Sequence, residues 1–226
     1  MSETRETEVN AEDSADIVQP GQNSRALTVI SKIISTVGHP LIVPLLAVTL
    51  LLFGNTFLSI IPFGIKRFIL LTVLMCTMII PAFAIVLLYR LKVISAISLD
   101  NRKDRTIPLL IVIISYILCS VFLTDHIIMQ LINRIIYGVI LAISLCFIIT
   151  FFWKISMHMI GAGGLVGVFF SVNFMNYGYM PWTLMFTILL AGLVGSARLY
   201  LGKHTIWQVF AGFMVGFLSV IIMLRF

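Results

Sequence analysis

The chain has 226 residues, 60% of them hydrophobic, a mean hydropathy of +1.12 and a formal net charge of +6. That composition excludes an ordinary soluble domain. The positive charge does not point to nucleic acid, because the basic residues stand at the ends of apolar runs and in short loops, where a bilayer expects them.

Residues 1–24 are polar, acidic and poor in aromatics, and they read as a disordered tail. They lack the basic start and apolar stretch of a secretory signal, so no cleaved peptide is expected. Residues 25–37 carry Arg25 and Lys32 among apolar side chains and suit a helix lying on a membrane surface. From residue 25 to 226 the sequence reads as one membrane-embedded helical domain.

Seven apolar runs follow, at roughly 40–61, 68–90, 107–123, 132–153, 158–176, 181–199 and 205–224. Runs of about 20 residues match a hydrocarbon layer of about 30 Å. In lipid the backbone must bond to itself, so such runs mean helices. The short alternating strands of a β-barrel are absent. The expectation is an all-α, polytopic integral membrane bundle with six to seven transmembrane helices. The first run is the weakest, because Pro40 and Pro44 can bend it or make it re-entrant. Gly163/Gly167 and Gly212/Gly216 are small-xxx-small pairs that permit close helix contact.

Six of the nine acids lie in the first 16 residues, and only Asp100, Asp104 and Asp125 stand beyond them. Paired-carboxylate catalysis and an acidic metal cage therefore have little support. Cys76, Cys119 and Cys146 each lie inside an apolar run with no zinc spacing, and they read as buried structural thiols. Neither a metal nor a cofactor is expected.

Three polar clusters interrupt the apolar pattern. The first runs from Asp100 to Pro108 and holds Arg102, Lys103 and Arg105. Its plain reading is a positively charged loop. Its functional reading is a phosphate clamp, since arginine offers planar paired donors to phosphate oxygens. Arg102 and Arg105 share a face if the segment is helical. The second cluster is Lys154-Ile155-Ser156-Met157-His158. A serine and a histidine at a helix start can cap that helix or donate to an anion. The third cluster holds Arg198, Gly202, Lys203, His204 and Gln208. His204 and Gln208 are four apart and share a helix face. The Gln208 carbonyl can accept a proton from one ring nitrogen and leave the other free for attack. Gly202 offers a break that could bring Arg198 to the same place. The plain alternative is a hairpin with interfacial cations. Alternating crossings put the loop at 91–106 and the junctions near 154–158 and 198–204 on one face, so the clusters can meet.

In order and spacing the three clusters resemble the motifs of the type 2 phosphatidic acid phosphatase superfamily, over roughly residues 90–216. Arg198, five residues, His204, three residues and Gln208 reproduce the third motif, followed by Ala211-Gly212. Ser156 and His158 match the second, and Arg105 with Pro108 loosely matches the first. The resemblance implies that His204 attacks phosphorus to form a phosphohistidine. It implies that His158 protonates the leaving alcohol and that water then releases phosphate. Arg105, Arg198 and Ser156 would hold the phosphoryl oxygens, with Arg102 standing in for a lysine whose position falls on Ser98. The family needs no metal. The chain departs from it in lacking the proline and glycine of the second motif, and in having Gln208 where an aspartate is usual.

The expected function is an integral membrane lipid phosphatase acting on a phosphomonoester or pyrophosphate of a lipid. The lipid phosphate and the surrounding membrane lipids are its expected partners, and nucleic acid is not. A bacterial inner membrane is the expected location. Two other classes remain open, a non-catalytic protein that binds or moves a lipid phosphate and a lipid phosphotransferase. Cation counts favour a cytoplasmic site, whereas the resemblance favours an outward-facing one.

Overall fold

A computed structural model describes residues 25–95, 103–123 and 129–225, and within these it is all-helical. Helix α1 spans Arg25–Val37 and α2 spans Val43–Phe53. Helix α3 runs over Phe63–Arg90, α4 over Thr106–Phe122 and α5 over Gln130–Phe152. Helices α6, α7 and α8 span Met157–Phe174, Pro181–Tyr200 and Ile206–Arg225. Five of them, α3 and α5 to α8, are long and apolar enough to cross a membrane.

The expected span at 40–61 is a different object. It contains the 11-residue helix α2 and a 3₁₀ turn, Phe57–Ile60. At 1.5 Å per residue, α2 measures about 16 Å, roughly half the hydrocarbon thickness. Pro44 sits in its first turn, where proline is tolerated, and therefore starts the helix rather than bending it. Helix α4 has 17 residues and is also short of a comfortable span.

Helix α3 contains a π-turn at Met75–Ile79, and proline explains it. In a π-turn the Cys76 carbonyl would accept from the N–H of residue 81, but Pro81 has none. The Ser115 hydroxyl of α4 donates to that carbonyl instead. The irregularity in one helix is thus satisfied by its neighbour.

Helix α6 is the centre of the bundle, and most of its residues are buried. It packs against α8 along a seam of glycines, as the small-residue spacing predicted. A Cβ on Gly163 would collide with the Phe213 carbonyl, and one on Gly216 with the Ile160 carbonyl. Only glycine lets these backbones approach so closely. Helix α1 lies against α7. Its buried side chains are Ser31 and Ser35, while Val29, Ile30 and Ile33 are exposed, so its apolar face turns outward. That polarity suits a helix floating in the membrane interface.

Candidate functional site

Four chain segments meet at one end of the bundle, and local backbone chemistry shapes two of them. The short extended link Trp153–Ser156 joins α5 to α6, with Ser156 at the helix N-cap position. Between α7 and α8, Gly202 takes a positive φ of 61°. The Gly202 N–H donates to the Leu199 carbonyl and the Lys203 N–H to the Arg198 carbonyl, the two bonds of a Schellman turn. That turn reverses the chain and delivers His204 beside the end of α7, where Arg198 stands. Helix α8 then opens with a capping box. The Thr205 hydroxyl accepts from the Gln208 N–H at 3.4 Å, and Gln208 Oε1 accepts from the Thr205 N–H at 3.3 Å.

The clusters are tied directly to one another. Arg105 Nη1 donates to the Ile155 carbonyl at 3.1 Å, linking the first cluster to the second. The Ser156 N–H donates to the Gln208 carbonyl at 3.4 Å, linking the second to the third. Arg198 Nη1 donates to the Ser35 hydroxyl at 3.0 Å, bringing in α1. Arg105 is only 3% exposed, His204 4% and Gln208 2%, which excludes the reading of these side chains as solvated interfacial groups. Arg102 and Ser98 lie outside the described residues.

His204 Nδ1 is 3.0 Å from Gln208 Oε1. An amide oxygen only accepts, so Nδ1 carries the proton and Nε2 presents its lone pair. Burial, and then the nearby Arg198 charge, push the His204 pKa down to about 3, against a smaller upward effect of the Gln208 bond. The ring is therefore neutral at ordinary pH, which a nucleophile requires.

The Ser156 hydroxyl is fully buried and has no hydrogen-bond partner among the described residues. Although Ser156 occupies an N-cap position, its side chain does not cap the helix. A buried hydroxyl left unbonded costs on the order of 1–3 kcal/mol. A ligand oxygen would satisfy it.

His39, in the turn between α1 and α2, escaped sequence reading. Its ring meets that of His158 edge to face, with centroids 5.3 Å apart. Its Nδ1 accepts from the Leu41 N–H at 3.3 Å, which puts its own proton on Nε2. Burial and Arg198 both lower its pKa. Arg198, His39 and His204 all lie close enough to act electrostatically on His158, and the His158 ring reaches the Ser35 backbone carbonyl. No local motif marked His39. The only hint was its place directly after an amphipathic helix and before Pro40.

Next to this polar group the bundle contains a cavity of about 180 Å³, lined in part by His39 and His158 and otherwise almost wholly by apolar side chains. Among the described residues no group of three His, Cys, Asp or Glu side chains is arranged to hold a metal ion.

The fold and this buried cluster define a polytopic helical membrane protein with a polar, cation-rich site at one end. Residues 150–226 match the family model of the PAP2 superfamily, so this part of the chain carries the family resemblance. The matched segment holds Ser156, His158, Arg198, His204 and Gln208. No curated protein and no solved structure matches the chain.

Proposed function

We propose that the protein is an integral membrane lipid phosphatase that hydrolyses a phosphomonoester or pyrophosphate of an amphiphile through a phosphohistidine. The observation that carries this reading is the His204–Gln208 pair, which leaves a neutral, oriented Nε2 near the buried Arg105, the half-buried Arg198 and an unpartnered serine hydroxyl. In the first step the Nε2 lone pair attacks phosphorus, and the P–O bond to the leaving alcohol breaks. The alcohol oxygen takes a proton from His158, which enters this step as an imidazolium stabilised by the negative charge of the bound phosphate. Arg105, Arg198 and the Ser156 hydroxyl hold the non-bridging oxygens as charge builds on them. In the second step His158 takes a proton from water, whose oxygen attacks phosphorus and displaces His204. Inorganic phosphate leaves, and both histidines return to their starting state.

Gln208 makes this chemistry compatible with an uncharged partner. Its carbonyl fixes the tautomer, and burial keeps the ring neutral without a neighbouring carboxylate. The same side chain caps α8, so its length is tied to the helix start as well as to the histidine. Arg102 is a further proposed phosphate-binding residue, as a substitute for the missing lysine.

The test is phosphate release by purified protein from a panel of phosphorylated lipids, with His204→Ala as control. Release that depends on His204 supports a phosphatase. Phosphate passed only to an added alcohol would indicate a phosphotransferase. Binding without turnover by the unaltered protein would indicate a carrier or sensor.

A further inference from the structure

We infer that the cavity inside the bundle is the binding site for the apolar tail of the substrate, so that a single lipid chain is drawn in among the helices rather than left in the bilayer. The inference rests on the phosphatase reading for the headgroup, but its geometry is independent of that reading. Protein interiors are close-packed, and voids larger than a water molecule are few. A dry space of about 150 Å³ in a soluble protein is enough to bind benzene. The cavity here is about 180 Å³.

Its shape follows from which residues line it. On three of the contributing helices the lining runs inward from near the polar end. It goes from Pro108 to Tyr116 on α4, from Cys146 to Ile135 on α5, and from His158 to Val168 on α6. At 1.5 Å per residue these intervals are roughly 12–16 Å deep, about half the hydrocarbon thickness. A saturated chain of roughly ten carbons fits that depth.

The two histidines of the lining belong to the polar cluster. His39 and His158 line the cavity with their rings in contact, and His158 is the group proposed to protonate the leaving oxygen. A phosphoryl group held by Arg105 and Arg198 would therefore have its ester oxygen near the histidine pair and its tail beyond them. Tyr116 faces this interior and is 1% exposed, whereas Ile114 and Leu118 on the same helix face outward. Inside and outside occupancy can therefore be told apart on one element.

The experiment uses decyl phosphate carrying a diazirine at the far end of its chain, photolysed with the full-length protein in nanodiscs. Label is expected on Tyr116, Ile135 or Val168. Excess decyl phosphate should displace it, and excess butyl phosphate should not. Ala142 is buried and lines the cavity. Ala142→Phe should lower both labelling and kcat/KM for decyl phosphate at least tenfold, with a smaller loss for butyl phosphate. Label on Ile114, Leu118 or other outward side chains, with phosphate release intact, overturns the cavity assignment and leaves the phosphatase reading standing. Label inside the cavity with no phosphate release overturns the phosphatase reading and keeps the assignment. The labelling pattern of the unaltered protein decides the matter even if the Ala142 variant does not fold.

Discussion

Replacing Gln208 by leucine probes the centre of the proposed mechanism. The Gln208 side-chain oxygen Oε1 accepts from two donors, His204 Nδ1–H at 3.0 Å and the Thr205 N–H at 3.3 Å. Leucine has similar bulk and no acceptor. A buried donor left without a partner costs about 1–3 kcal/mol. The His204 ring can escape that cost by moving its proton to Nε2, but it is then no longer a nucleophile. Holding the reactive tautomer against a penalty of this size lowers the rate by about 5- to 160-fold, at 1.36 kcal/mol per tenfold. Helix fraying could mimic the loss, and Thr205→Ala controls for it. That change removes the capping hydroxyl and costs about 1 kcal/mol of stability, yet leaves the Gln208–His204 bond in place. Steady-state phosphate release and thermal unfolding should be measured for both variants. Thr205→Ala should lower Tm and keep its rate, whereas Gln208→Leu should lose both. Gln208→Glu keeps the reach, the capping box and the acceptor, and should match or exceed the unaltered rate. Gln208→Asp restores the family residue but is one methylene shorter and should gain less. An unchanged rate in Gln208→Leu would refute the proposal that this residue orients the nucleophile.

Arg105→Lys should be poor in turnover, because an ammonium cannot reproduce the planar fork, while Arg90→Ala, at the exposed end of α3, should be mild. Equal losses in the two would return Arg105 to an ordinary loop charge. Activity should survive a chelator, and loss restored by magnesium or zinc would contradict a mechanism run by histidine alone. Stability should fall as pH drops from about 6.5 towards 3. The lowered pKa of His204 means that the unfolded chain binds a proton in that window which the folded chain refuses. Down to pH 5 this amounts to at most about 2 kcal/mol at 1.36 kcal/mol per unit. Unfolding curves for His204→Gln should show a shallower acid slope, the remainder coming in part from His39, and identical slopes would contradict the burial argument.

The helical class and the small-residue seam were legible because lipid leaves few alternatives for long apolar runs. The ordering of the clusters at one end followed from counting crossings, and Gly202 was legible as the break before His204. What was not legible depends on three dimensions. The short helix α2 looked like a full span because the 3₁₀ turn after it is equally apolar. The π-turn needed Ser115 of another helix to satisfy the carbonyl that Pro81 frees. His39 belongs to no motif, and it joins the site only because α1 packs on α7. The capping role of Gln208 could have been read from Thr205-x-x-Gln208. The histidine spacing drew the same residue into a different pattern, and both patterns hold at once.

Gly212 connects the packing seam to the chemistry and allows a test of whether the seam serves the site. A Cβ there would stand 2.7 Å from the Ser156 carbonyl and 3.1 Å from the Met159 side chain. Backbone cannot yield as a flexible side chain does, so Gly212→Ala must push the start of α6 away from α8. That displacement loosens the Ser156–Gln208 backbone bond and shifts the unpartnered Ser156 hydroxyl relative to His204. Shifts well under 1 Å at such a site carry large rate penalties, since phosphoryl transfer depends on positioning. Gly192 on α7 offers the matched control, because a Cβ there meets nothing within 4 Å. Gly192→Ala should leave activity intact and gain up to about 1 kcal/mol in helix propensity. Gly212→Ala should lose turnover by tenfold or more, with a smaller change in the binding of a substrate analogue's tail, since the cavity lies deeper along α6. Full turnover in Gly212→Ala would mean that the contact between the second and third clusters is packing only and does not set the geometry of the reaction.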